Sequence, residues 1–451
     1  MRDGPGHCRH GTYERDDVIR NTRGVTVARK PTGYGELLRT RHAARLLTGT
    51  LVGRLPNATA HVAIVLFVRA EGGSYTLAGV LATVYGLATA IGQPLLGRAV
   101  DLHGQPRVML PAAVVSALGM VAFAVVGIEP LGLAALAVLV AGVFTPPLEG
   151  GLRALWPSVL KRQDRVHKAY ALDSVAQEVM FTVGPLAVTV CVALWSEATA
   201  LLVINLIGVL GALSVAVSQP SRSWRSAPRE AHWLGALRSA GLLALLGAFV
   251  FVGMALGSIT VAAVAYADEQ TGVSGNVVYA LLMSGIGFGA LVGGLAYGVR
   301  EWVGAPEPRL LVLIGLLALG YLPLMLTPSY GAMTVLTCLA GVFLAPALSC
   351  AFVVVDRHAP AGTVTEAFSW LVTTFGVGAA LGTAVVGPSI ESGGVTGGFA
   401  VPGAAGVAGF LLLVLTRRAL AAPRRTGLPP VAGQSDPSRA AEPGFKTGHQ
   451  A

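Results

Sequence analysis

The chain reads as an all-α membrane protein, with twelve transmembrane helices in two parallel six-helix repeats. Three observations lead there. Of its 451 residues, 53% are hydrophobic and 12% charged, whereas a soluble domain carries about twice that charged share. The apolar residues run on without alternation over windows of about 20 positions, which suits helices crossing a bilayer and not the strands of a barrel. The segment Ala141-Gly142-Val143-Phe144-Thr145-Pro146-Pro147 returns 199 positions later as Ala340-Gly341-Val342-Phe343-Leu344-Ala345-Pro346. Similar offsets recur: Asp101 and Gly104 fall opposite Glu301 and Gly304, and Ala169-Tyr170 with Gly184 fall opposite Ala367-Phe368 with Gly382. Two halves repeated in one orientation form a layout in which a transport site lies between them.

Taken in order, residues 1–43 are polar, with no apolar run of the kind a signal peptide needs, and are expected to form a cytoplasmic tail. Apolar windows then predict spans over Leu46–Val68, Thr76–Leu96, Val108–Val126, Leu131–Leu148, Ala169–Leu194 and Ala198–Ser218, giving a first bundle over 44–218. Residues 219–237 are rich in Ser, Pro and Arg and read as a cytoplasmic linker. The second bundle, 238–416, takes spans at Gly241–Tyr266, Val277–Tyr297, Leu310–Leu326, Ala332–Val355, Ala367–Val386 and Phe399–Leu415. Residues 417–451, rich in Pro, Gly, Ala and Ser, are expected to be a disordered cytoplasmic tail. The copies of the Ala-Gly-Val-Phe segment fall at matching points of spans four and ten and read as paired hinges, Gly for close packing and Pro for a bend.

Orientation follows from the basic residues, because cytoplasmic loops retain Lys and Arg. One side of the predicted topology holds Arg98, Arg107, Lys161, Arg162, Arg165, Lys168, Arg222, Arg225, Arg300, Arg309 and Arg357; the other holds Arg69 among Glu71, Glu129, Glu197, Asp268, Glu269 and Glu391. Both termini are therefore expected in the cytoplasm of a multi-pass plasma (inner) membrane protein. The net charge of +9 is then a topology signal and not a nucleic-acid footprint.

Other chemistries find no support. Cys8, Cys191, Cys338 and Cys350 lack paired or metal-ligand spacing, so neither a disulfide nor a metal is inferred. No phosphate-binding loop or nucleophile-base constellation is present, which argues against an enzyme and against ATP as the energy source. No cofactor is expected.

Between spans two and three runs Gly97-Arg98-Ala99-Val100-Asp101-Leu102-His103-Gly104-Gln105-Pro106-Arg107. It resembles the loop signature of the major facilitator superfamily: Gly, three residues, Asp, two residues, Gly, then basic residues. Gln105-Pro106 stands where that family usually has basic residues, with Arg107 following. With the twelve spans and two parallel halves, the resemblance covers about residues 44 to 416. It implies a gate on the cytoplasmic side, with Gly97 allowing close helix approach, Gly104 a tight turn, and Asp101 meeting the start of span eleven. Arg107 at the start of span three, Glu149 and Arg153 at the end of span four, and Glu366 at the start of span eleven would complete it. Thr363-x-x-Glu366 itself reads as a capping box.

Ionisable groups inside a bilayer are functional by default. Arg54 lies about 14 Å and Glu178 about 15 Å into their spans at helical rise, so an Arg54–Glu178 pair is expected to couple transport to protons or to staple spans one and five. Asp173 is a second carboxylate candidate, and Asn57 beside Pro56 offers an amide at the same level. Spans seven and ten, expected to line the cavity, contain no Asn or Gln. The expected function is therefore proton-coupled efflux, by alternating access, of a hydrophobic or amphipathic small molecule, driven by the proton gradient. The alternative is an importer or facilitator of a small metabolite such as a sugar. The expected partners are this small-molecule substrate and the lipid bilayer, and the expected state is a monomer.

Overall fold

The computed structural model describes residues 34–228, 232, 234–270, 272–302 and 304–421. Most of the two expected tails, and Cys8, lie outside these residues. Among the described residues, eleven helices are long and apolar enough to cross a membrane: α1 (Ala43–Ala70), α2 (Tyr75–His103), α3 (Gln105–Val126), α4 (Leu131–Leu160), α5 (Gln163–Leu194), α6 (Glu197–Ala216), α7 (Ala240–Asp268), α8 (Gly275–Val299), α9 (Pro306–Leu326), α10 (Tyr330–His358) and α11 (Val364–Leu415). At 52 residues, α11 is about 78 Å long at helical rise, more than twice the hydrocarbon thickness. Gly394 turns it, with φ 63° and ψ −163°, and each arm is long enough for one crossing. The arms correspond to predicted spans eleven and twelve.

Helix ends are set locally. Ser74 caps α2 by accepting the Leu77 N–H, Ser196 caps α6 through Thr199, and Ser239 caps α7 through Leu242, each satisfying an otherwise orphaned donor. Gly104, at φ 88°, makes the abrupt turn from α2 to α3 that a residue with a Cβ would resist.

The repeated segment is a break in both halves. Helix α4 consists of Leu131–Val143 and Leu148–Leu160, and α10 of Tyr330–Gly341 and Leu344–His358. The prolines that follow cannot donate to the helical ladder, and both copies interrupt it at corresponding points.

Helices pack by backbone approach. On α7, a Cβ at Gly253 or Gly257 would strike the carbonyls of Phe375 or Ala379; on α11, one at Gly378 or Gly382 would strike those of Val250 or Met254. Two interlocked small-residue pairs thus hold α7 against the first arm of α11, as membrane helices without a hydrophobic driving force between them require. In the first half, the Pro56 ring of α1 packs on Gly208 of α6.

Candidate functional site

The loops joining α2 to α3, α4 to α5, α8 to α9 and α10 to α11 gather on one side, referred to below as the basic face. Here the two halves meet. The Asp101 carboxylate accepts the N–H of Thr365 (3.1 Å) and of Glu366 (2.9 Å) at the start of α11. An anion at a helix N-terminus satisfies orphan donors and the helix dipole together. Gly97, one turn back on α2, is pressed against Ser369 and the Glu366 backbone, and Gly150 of α4 against Thr365 and Phe368.

The capping box expected at Thr363-x-x-Glu366 does not form. The Thr363 hydroxyl donates to the Pro360 carbonyl (2.8 Å), and the Glu366 carboxylate instead accepts the Ala236 N–H (3.2 Å) from the linker. The cap of α11 comes from Asp101 in the other half, which a local motif could not reveal. Arg107 is exposed and makes no ion pair among the described residues, so it stands apart from this contact.

The repeat offsets point to a mate for the Asp101 contact. Asp101 corresponds to Glu301, and Glu366 corresponds to Lys168. Lys168 Nζ lies 3.8 Å from Glu301, so the same two positions meet on the other side of the pseudo-twofold axis. That mate is weaker, since Glu301 is 58% exposed.

Deeper in the first half lies a buried charge cluster. Arg54 Nη2 contacts Glu149 Oε1 at 2.7 Å and Nη1 contacts Asp173 Oδ1 at 3.3 Å. Arg153 Nε donates to Asp173 Oδ2 at 2.7 Å, while its Nη2 lies 3.1 Å from Gln177 Oε1 and 3.6 Å from Glu149 Oε2. Two cations and two anions balance, which offsets the desolvation each would suffer alone. The expected partner of Arg54 was Glu178; its ion pairs run instead to Glu149 and Asp173. One helical turn or more separates Asp173 from Glu178 on α5, so the two carboxylates point to different neighbours.

Beside the cluster, the first half encloses a cavity of ≈ 20 Å³ lined by Arg54, Asn57, Tyr85, Gln93, Thr145, Glu149 and Asn205, among others. This is room for one or two waters with several polar partners, not for a substrate. Tyr85 donates to Asn57 (3.4 Å) and shares a hydrogen bond with Thr145 (3.2 Å), and Gln93 donates to the Thr145 carbonyl (3.1 Å) at the α4 break. Sequence reasoning missed Tyr85, Gln93, Gln177 and Asn205. Their signal was present as lone polar groups inside apolar windows.

The family model described as Major Facilitator Superfamily matches residues 46–382. The chain belongs to the major facilitator superfamily. No curated protein matches it. Among solved structures, it is similar to the human organic anion transporter MFSD10 (TETRAN), with a TM-score of 0.61 and 16% identity over 82% of this chain and 98% of the other. It is also similar to a bacterial homologue of the iron transporter ferroportin in an outward-facing state (0.68, 14%, 83% and 99%) and to the E. coli fucose:proton symporter FucP (0.64, 13%, 83% and 98%). At these identities the likeness is one of fold. With the family established, the chain is a multi-pass membrane protein with a transporter fold. Within the Gly97 to Arg107 segment, Asp101 is the residue that joins the halves, through its bonds to the start of α11.

Proposed function

We propose that this transporter exports an amphipathic small molecule in exchange for protons by rocking of its two halves, with the basic face in the cytoplasm. The buried Arg54–Glu149–Arg153–Asp173 cluster carries the reading. Carboxylates held inside a membrane by exchangeable cationic partners are the groups from which proton relays are made. The cluster belongs wholly to the first half, while α7 and α10 of the second contain no Asn or Gln. A substrate with a polar end toward the first half and an apolar body along the second fits that division, because unpaired polar groups would be costly against α7 and α10. With the basic face cytoplasmic, the Asp101 contact closes the inner side, and Glu178 near mid-span is the second candidate carrier.

The test is transport in proteoliposomes under an imposed pH gradient, with a panel of lipophilic fluorescent dyes and a pH indicator read together. Dye movement should be matched by opposite proton movement, and Asp173→Asn or Glu178→Gln should abolish the proton-driven part while the protein still inserts. Full gradient-driven export by both variants would remove the coupling claim. A second reading, an importer or facilitator of a hydroxyl-bearing metabolite such as a sugar, draws on the Asn57, Gln93 and Asn205 amides in the first half. Sugar uptake indifferent to the pH gradient would favour it.

A further inference from the structure

Arg153 is 1% exposed, and its guanidinium does more than balance charge. It lies 3.7 Å from the centroid of the Phe352 ring on α10 and 5.9 Å from that of Phe368 on α11. Both rings belong to the second half. Tyr170 of α5 completes the enclosure, its ring centroid 6.1 Å from each, and its hydroxyl donates to the Arg153 carbonyl at 3.3 Å. All three rings are fully buried. Arg153 thus links the charge cluster of one half to two rings of the other, next to the Asp101 contact.

The repeat explains the meeting. Arg153 and Phe352 are separated by the same 199 positions as the two copies of the Ala-Gly-Val-Phe segment, and Tyr170 and Phe368 by the 198 of their own segment. The Arg153–Phe352 and Tyr170–Phe368 contacts therefore join mates across the pseudo-twofold axis, where the halves must part for the basic face to open.

We propose that Arg153, backed by Asp173 and seated on the faces of Phe352 and Phe368, is a cation–π latch that sets how much of the time the basic face stays closed. Phe352 and Phe368 are then positioning residues of the transport cycle. Away from water, such a contact is at its strongest, and opening the face pulls the guanidinium off both rings while it keeps its carboxylate partners, which belong to the same half. The inference needs only the rocking of the two halves and is independent of substrate, direction and coupling ion.

The test replaces Phe352 by mono-, di- and trifluorophenylalanine in the full chain in lipid nanodiscs. Fluorination drains the ring face of negative charge and leaves its volume nearly unchanged. Amide hydrogen exchange is read on the peptide holding Thr365 and Glu366, whose N–H groups bond to Asp101 only while the gate is closed. Exchange should rise step by step with fluorine number, reaching about tenfold for the trifluoro ring, with a shallower slope for the same series at Phe368. In an Arg153→Met background the series should be flat. A flat series in the otherwise unaltered chain would overturn the latch, since plain apolar packing is indifferent to ring charge. A series that stays graded after Arg153→Met would overturn it too; if that variant fails to insert, the first series decides alone.

Discussion

Asp101→Asn tests the proposed gate directly. The carboxylate accepts two backbone N–H groups, at 3.1 and 2.9 Å, and hydrogen bonds to a charged acceptor contribute about 1.5–3 kcal/mol each against about 0.5–1.5 for a neutral one. An asparagine oxygen can keep one of the two in neutral form, while its amide group turns a donor toward the other N–H. The net loss is about 2–4 kcal/mol in the closed state. In the open state the side chain is solvated either way, so the loss shifts the equilibrium toward opening by about 30- to 1,000-fold. Hydrogen exchange at Thr365 and Glu366 should accelerate by that factor, limited only by the rate of unprotected amides. The mate contact is an internal control: Lys168–Glu301 is longer, at 3.8 Å, with Glu301 58% exposed, so Glu301→Gln should change exchange by about fivefold at most. If Asp101→Asn leaves exchange within about threefold of the unaltered chain, on a scale where the two bonds predict at least 30-fold, then the Asp101 contact does not hold the gate.

Gly378→Val places a side chain against the Val250 carbonyl, where overpacking costs about 1–3 kcal/mol or more; a clear drop of Tm in detergent micelles is expected, and an unchanged Tm would show that α7 and α11 can separate without cost. Arg54→Met leaves Glu149 and Asp173 facing Arg153 alone, a loss of about 3–5 kcal/mol for a broken buried pair. Adding Glu149→Gln restores charge balance and should recover more than half of the Tm lost; no recovery would mean that Arg54 acts through packing rather than charge.

The spans were legible because apolar length alone defines them, and the errors share one cause. Predicted span two ended at Leu96 and span four at Leu148, whereas the helices run to His103 and Leu160. An apolar window stops where charge begins, but a helix does not. Glu149 and Arg153 ended the window, yet inside the fold they find Arg54 and Asp173 and the ladder continues past them. The breaks in α4 and α10 were legible because Pro acts on its own backbone. The partner of Arg54 was not. Glu149 and Asp173 lie 95 and 119 positions away in the chain, and depth along a helix does not say which way a side chain points. The aromatic seat of Arg153 lay within reach, since the repeat offset that pairs the hinges also pairs Arg153 with Phe352.

That offset shows why a duplicated fold can work with unlike halves. Residues near the pseudo-twofold axis meet their own repeat mates, so a charge kept in both copies would face its like, and two buried cations in contact are costly in a low dielectric. Here Arg153 stands opposite Phe352, Glu149 opposite Leu348 and Asp173 opposite Leu371. The first copy has kept the charges and the second offers rings and aliphatic groups. A cation on one side and a π face on the other attract across the axis without a second counter-ion. Rocking can then break the Arg153 contact between halves and leave every charge of the Arg54–Glu149–Arg153–Asp173 cluster still paired within the first bundle. An ion pair split between the two halves would strand a buried charge at each opening, whereas a cluster confined to one half and latched to the other by Arg153 opens without that cost.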